Sequence, residues 1–429
     1  MRKTVTIKKR SQMWPLLWLL IFLPFCLGTL NDLLGLPYAI RYVLDITWVL
    51  LFVFMIYGNG FAQRGIRRIS LWILLFLIMT LAVLPVQYQS PLYYLWGLRN
   101  NFRFYVAFFA FAVFLKADEI EDSLKWFDVL FWINIAVSIV QYFQYELRQD
   151  NLGGLFGSET GVNGFTNIFF LIVLTKSIVF YLERKEKVWN LVLKSVAALF
   201  VAALAEMKFF FVEFLLVIVL AVLFTNFTWR KLLVILGGGV AIVGFAALLT
   251  TVFPHWGQWF ALEWFLETAM SDVGYTGSGD LNRLTAISQI NELWLKHWTQ
   301  RIFGKGLGNC DTASFAAFNT PFFKQHGDMH YNWMSHAMIY LETGYFGLIF
   351  FFGFFVMTYL GVRRIEKRST GKVKTYCRMS RIVTVMCPII ALYNASLRGE
   401  AAYMVYFLLA IPFTLERHSS GTRRESLTT

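Results

Sequence analysis

An all-α polytopic membrane protein is the fold class this sequence predicts, and three observations carry the prediction. Of 429 residues, 57% are hydrophobic and 18% aromatic, but only 15% are charged, well under the roughly 25% of a soluble domain. Apolar runs of about 20 residues, enough to cross a hydrocarbon core, recur along the chain. The Lys and Arg residues are abundant in every second connection and sparse in the others, as the positive-inside rule requires. A soluble fold of this composition would lack the polar groups to cover its surface, whereas lipid removes that need.

The first apolar run, 13–30, has no small-residue cleavage site and reads as a retained helix rather than a signal peptide. Further helices are expected near 40–57, 69–86, 102–116, 124–147, 165–182, 188–205, 209–225, 232–253, 336–362, 380–396 and 401–416. That makes about twelve spans. The organisation is then a membrane bundle over 1–253, a long loop over 254–335, the last three spans over 336–416 and a polar tail over 417–429. The tail is expected to be disordered. No internal repeat or low-complexity linker is evident.

With the N-terminus inside, 26 of the 39 Lys and Arg residues fall in cytoplasmic segments and 11 outside, while Lys176 and Lys194 lie within spans. Both termini are therefore expected in the cytoplasm and the long loop on the extracytoplasmic side. The formal charge of +13 reads as this topology signal and as attraction to anionic lipid headgroups. It does not indicate nucleic-acid binding. Cys26, Cys377 and Cys387 lie in or beside apolar segments and Cys310 is alone in the loop, so no intrachain disulfide is expected there.

The long loop breaks the pattern of helix, short turn, helix, and long loops in membrane proteins often carry function. Within it, residues 282–302 place Leu284, Ile287, Ile290, Leu293, Trp294 and Trp298 at helical spacing. This predicts an amphipathic helix packed on the mouth of the bundle. Histidines fall at 255, 297, 326, 330 and 336, and histidine suits proton transfer near neutral pH. His330 and His336 stand out because they bracket the point where the chain re-enters the membrane. A lone loop histidine is otherwise an ordinary surface residue.

Short outward connections should carry few cations, so those present invite a reason. Arg99 and Arg103 sit in GLRNNFR between the third and fourth spans. Lys208 sits beside Glu206 in a turn between two helices. Arg283 opens the amphipathic helix, and Arg398 lies in the final outward turn. Arginine holds phosphate oxygens with a planar fork and lysine acts as a point charge. The set suits a pyrophosphate-linked substrate, and the competing explanation is pairing with headgroups or with Glu206, Glu213 or Glu400.

Other short patterns fail on context. Gly304-Lys305-Gly306-Leu307-Gly308 lacks Walker spacing, and Gly277-Ser278-Gly279-Asp280 has no partner aspartate in a span. No HExxH, GxSxG or CxxC occurs. Gly327-Asp328 between His326 and His330 weakens a helical metal site, so neither metal nor cofactor is expected.

The order of features in the loop resembles the O-antigen polymerase and O-antigen ligase superfamily of bacterial surface-polysaccharide assembly. The matching residues are Arg283, Trp294, Phe303 to Gly308, His330 or His336, and Glu342-Thr343-Gly344-Tyr345-Phe346-Gly347. The twelve-span layout with one late outward loop is also similar, giving a GT-C-like architecture. The motifs cover only about 65 residues, and the resemblance in topology spans the chain. Two departures are the absent His-Asn pair before the last motif and Glu206-Met207-Lys208 where a Ser-Arg-Gly-like turn is common.

The resemblance implies an inverting, metal-independent glycosyltransferase in the bacterial cytoplasmic membrane, using a glycan on undecaprenyl diphosphate. It implies a place in exopolysaccharide biosynthesis beside a flippase and a chain-length regulator. Arg283 would position the donor, and Arg99, Arg103, Lys208 and Arg398 would hold its diphosphate. His330 or His336 would act as base, and Gly304, Gly306, Gly308 and Glu342 would meet the glycan. A polymerase is favoured. A ligase transferring the glycan to a lipid A-core or another acceptor is the alternative. A secondary transporter is the rival from another class, although inverted repeats are not evident and few ionisable groups lie deep in spans.

Overall fold

The computed structural model describes residues 11–63, 65–87, 90–226, 228–252, 279–313 and 315–428. Its longer helices before the loop are α1 (Trp14–Leu34), α2 (Tyr42–Tyr57), α3 (Arg67–Val86), α4 (Pro91–Phe114), α5 (Ala117–Gln144), α6 (Asn163–Leu182), α7 (Val188–Leu204), α8 (Lys208–Phe224) and α9 (Trp229–Val252). The loop carries α10 (Ala286–Leu293), α11 (Trp298–Phe303) and α12 (Pro321–His326). The chain closes with α13 (Ser335–Arg368), α14 (Gly371–Tyr393) and α15 (Ala402–Thr428). No strand occurs among the described residues.

Among the described residues, seven helices are long and apolar enough to cross a membrane: α1, α2, α3, α5, α6, α13 and α14. The protein is thus all-helical and carries several membrane-crossing candidates, fewer than the twelve spans expected. For three of the five the cause is local. Helices α7 and α8 are 17 residues each, and α4 carries Arg99, Asn100, Asn101 and Arg103 along its middle.

Helix ends follow familiar chemistry. Helix α4 starts at Pro91, after Ser90 in an extended conformation. Proline at the first helical position gives up an N–H that has no helical partner there, and its φ is already helical. Arg99 and Arg103 therefore lie inside a helix, not in a connection. Gly35 ends α1 at φ 62° and donates its N–H to the Asn31 carbonyl, the left-handed stop that glycine adopts most readily. Thr320 caps α12 by accepting from the Phe323 N–H at 3.1 Å.

The core is aromatic. Phe104, Phe108 and Phe111 of α4 are buried and meet Tyr403, Phe354 and Phe407 with ring centroids 5.0, 5.2 and 5.7 Å apart. Such pairs add to the burial of large apolar area. At the periphery, α2 and α3 expose Leu50, Phe54, Leu71, Leu75, Ile78 and Leu81. An apolar surface that extensive marks a lipid or protein contact. Lys176 and Lys194, the cations within spans, both pair with Asp128, and Lys194 also reaches Glu186 at 2.9 Å. Both of these buried lysines thus have a carboxylate.

Three expectations change. The amphipathic helix over 282–302 is two helices, because the chain turns inward between them and buries both Trp294 and Leu295. Trp294 packs edge-on against Phe322 and Tyr331. The helix expected over 336–362 kinks at Gly344, whose φ is 63°. The tail expected to be disordered continues α15, with Arg417 Nη2 donating to the Leu115 carbonyl at 2.5 Å. All four cysteines are free thiols. Residues 253–278, including His255, Gly277 and Ser278, lie outside the described residues.

Candidate functional site

A cavity of about 510 Å³ opens at one end of the bundle. Its wall collects the C-terminal part of α1, the middle of α4, the α5–α6 connection, the start of α6, the α7–α8 turn, parts of the long loop and the α14–α15 turn. All of these lie at one end of the bundle. The long loop seals part of that end. Trp96 Nε1 donates to the Thr312 carbonyl at 3.2 Å, Asn100 Nδ2 to Asp311 at 2.6 Å, and Tyr331 Oη to the Cys310 carbonyl at 2.7 Å. These bonds make the described part of the loop a packed cap rather than a floppy linker.

Five arginines line this cavity: Arg41, Arg99, Arg103, Arg283 and Arg398. Arg99 and Arg103 are one helical turn apart on α4, so they share a face. Asp45 of α2 holds them both, at 2.8 Å from Arg99 Nη2 and 3.8 Å from Arg103 Nη1. Arg99 also lies over the Trp96 ring at 4.7 Å. Arg103 is buried, donates to the Arg398 carbonyl at 3.1 Å and reaches Glu400 at 3.5 Å. Its Nε, like that of Arg398, is buried with no hydrogen-bond partner. Arg398 Nη2 is 3.1 Å from Asp311, and Arg283 Nε donates to the Tyr393 carbonyl at 2.8 Å while its guanidinium covers the Tyr393 ring.

Carboxylates alternate with the cations. Asp150, Glu159, Glu206, Asp311 and Glu400 line the same space. Burial alone would raise the Glu400 carboxyl, but Arg103, Arg99 and Arg41 outweigh it and hold the group below its ordinary range. The site is therefore a lattice of fixed charges. The guanidinium planes are oriented in advance and present donors to an anion that competes with the resident carboxylates.

One wall was not legible as a site. The segment 149–162, QDNLGGLFGSETGV, holds no α-helix, only two 3-10 turns at Gln149–Asn151 and Gly154–Phe156, yet folds into the bundle with Leu152, Gly153, Gly154, Phe156 and Gly157 buried. Its backbone groups find side chains instead of a ladder. Gly154 N–H donates to Gln141 Oε1 at 2.7 Å and Leu155 N–H to Asn134 Oδ1 at 2.7 Å, while Thr29 and Thr166 donate to the carbonyls of Leu155 and Gly153. Irregular backbone at membrane depth is tolerated only where it is buried in protein or lines a cavity, and here it does both. A methyl group on Gly28 would stand 1.9 Å from the Phe156 carbonyl oxygen, so α1 must offer a bare backbone there. The signal in the sequence was the run of glycines at 153, 154, 157, 161 and 164.

The remaining predicted residues sit outside the cavity. Lys208 lies at the α7–α8 turn, 4.0 Å from Glu206, and only Glu206 faces the space. His330 has φ 52° and stacks on Trp333 with centroids 3.7 Å apart. Trp333 lines the cavity and His330 does not. His336 is buried, with Nδ1 3.1 Å from the Ala391 carbonyl oxygen. Gly304, Gly306 and Gly308 face protein backbone. The Gly306 N–H donates to the Glu342 carbonyl at 2.9 Å, and a methyl group on Gly308 would stand 2.0 Å from the Tyr93 carbonyl oxygen. Glu342 is buried beneath them and accepts from the Cys310 N–H. Among the described residues, no group of three His, Cys, Asp or Glu side chains is arranged to hold a metal ion. No protein-family model matches this chain, and no curated protein matches it either.

Proposed function

We propose that this protein is a membrane glycosyltransferase that acts at the outer face of the bacterial cytoplasmic membrane. Its donor is an oligosaccharide repeat unit on undecaprenyl diphosphate. The observation that carries the reading is the meeting of Arg99, Arg103, Arg283 and Arg398, from three distant parts of the chain, on one cavity at the bundle's mouth. In the reaction, an acceptor hydroxyl attacks the anomeric carbon and diphosphate leaves with inversion. The leaving group gains charge as the bond breaks, and oriented guanidinium groups offset that charge without reorganising. The resident carboxylates hold those planes in position before substrate arrives. Trp333, on the cavity wall and exposed, offers a flat apolar ring against which a sugar packs.

Polymerase is the preferred form, joining one lipid-linked glycan to another beside a flippase and a chain-length regulator. The spans beyond the seven strong candidates, the cytoplasmic termini and the extracytoplasmic loop belong to the same proposal. They are supported by the excess of Lys and Arg in alternate connections. The test is incubation of the purified protein in detergent with a lipid-linked repeat unit and no added divalent metal. A ladder of lengthened products is the expected outcome. A single transfer to a lipid A-core would select a ligase, and solute uptake by proteoliposomes without any transfer would overturn both.

A further inference from the structure

We propose that Glu159 takes the proton from the attacking acceptor hydroxyl, an inference that rests on the transferase reading above. A general base must come within hydrogen-bond reach of the proton it takes, and a carboxylate with no resident partner gives up no existing bond to do so. Of the five carboxylates on the cavity wall, four already have a resident partner. Asp311 accepts from Asn100 at 2.6 Å and pairs with Arg398 at 3.1 Å. Glu400 pairs with Arg103 at 3.5 Å. Glu206 accepts from Gln149 at 3.1 Å and faces Lys208 at 4.0 Å, and Asp150 accepts from Asn163 at 2.9 Å. Glu159 lines the cavity, its side chain is exposed, and it has no hydrogen bond or ion pair among the described residues.

Its backbone is held where its side chain is not. The Glu159 carbonyl accepts from the Val162 N–H at 3.1 Å, the Ser158 carbonyl from Asn151 Nδ2 at 2.9 Å, and the Gly161 N–H donates to the Asp150 carbonyl at 3.0 Å. The carboxylate thus rides on a pinned turn of the buried α5–α6 segment. The arginines lie on other walls of the same cavity. The two histidines are placed differently. His336 spends Nδ1 on the Ala391 carbonyl beneath the surface, and the His330 ring stacks on Trp333 outside the lining.

The step balances without a further reactant. The acceptor oxygen forms the new bond to the anomeric carbon as the bond from that carbon to the phosphate oxygen breaks. The electron pair leaves with the diphosphate, held by the arginines. The hydroxyl proton passes to a Glu159 carboxylate oxygen and is returned to water after product leaves.

The test uses the full-length protein in detergent with an undecaprenyl-diphosphate-linked repeat unit, read as single-turnover transfer and, separately, as donor binding. E159Q is expected to slow transfer by about 10²- to 10⁴-fold while donor affinity stays at the wild-type value. Added formate should partly restore E159A, which a structural role would not produce. Wild-type transfer by E159Q overturns the proposal and leaves the transferase reading standing, as does H330A losing transfer while E159Q keeps it. No transfer by the wild-type protein overturns the reading itself and this proposal with it.

Discussion

Asn100 of α4 donates a 2.6 Å hydrogen bond to Asp311 Oδ2, and Arg398 Nη2 lies 3.1 Å from that same oxygen. A single carboxylate oxygen therefore fastens the core helix, the long loop and the α14–α15 turn together. Removing Asp311 leaves a mostly buried guanidinium without its counter-charge, and breaking such a pair costs about 3 kcal/mol or more. D311A should lower the melting temperature in detergent, followed by tryptophan fluorescence. D311N, which keeps the shape and loses the charge, should fall between the two. A melting temperature of D311A equal to the wild type would mean that this junction carries no stability.

The arginines differ in what their loss should do. Arg99 is partly exposed to the cavity and Arg103 is buried. R99A and R283A should accumulate normally and lose donor turnover by about 10²-fold or more, the cost of removing one donor to a developing charge. R99K should not recover it, because an ammonium cannot reproduce a planar fork on two oxygens. R103A should instead lower protein yield as well as turnover. The comparison is made on insertion-normalised protein with a lipid-linked donor. Equal activity of R99K and wild type would argue against bidentate phosphate binding.

Glycine substitutions separate contact from strain. Gly308 has φ 85°, and an added methyl group would meet the Tyr93 carbonyl at 2.0 Å. Gly161 has φ 86°, with nothing within 4 Å of the same position. G161A should cost only the backbone strain, about 1 to 3 kcal/mol. G308A should do far more damage, since both the cap and α4 must move. Detergent-solubilised yield and melting temperature read the difference, and similar losses at the two sites would sink the packing argument.

Acid should loosen the cavity through Glu400. Its carboxyl is depressed in the folded protein, so the unfolded chain takes up the proton first as pH falls. The stabilisation from Glu400 is complete above its ordinary value of 4.5 and is lost as pH drops through the lower native value. The wild-type melting temperature should fall steeply below about pH 4.5. E400Q should be less stable at pH 7 and show a shallower decline in acid. A parallel decline for the two proteins would remove Glu400 from the explanation.

The helices were legible because lipid-facing surfaces leave long apolar runs, and every expected span overlaps a helix in the structure. What the runs could not convey was burial by charge pairing. GLRNNFR reads as a polar connection by hydropathy, yet it continues α4 from Pro91 because Asp45, Glu400 and Asp311 accept its donors. The arginines expected outside can be picked out one by one, since each departs from a topological rule. Their convergence cannot, because it depends on contacts nearly 300 residues apart, such as Arg103 with Glu400. Glycines 304 to 308 looked like a ligand cradle and instead admit Glu342 and Tyr93 backbone, since glycine permits both. The 149–162 wall does not stand out in the sequence because it has no long apolar run and no cation, only the scattered carboxylates Asp150 and Glu159.

The hydrogen bond from Thr29 to the Leu155 carbonyl joins positions 126 residues apart, and that distance bears on how the protein is made. A ribosome delivers α1 into the bilayer long before α5 and the glycine-rich segment exist. Residues 152–157 can seat only once α1, α5 and α6 are all present to supply Thr29, Asn134, Gln141 and Thr166. The segment therefore stays unseated until the five helices after α1 have been made. Until then the carbonyls of Gly153 and Leu155 lack the hydroxyl donors that Thr166 and Thr29 bring them.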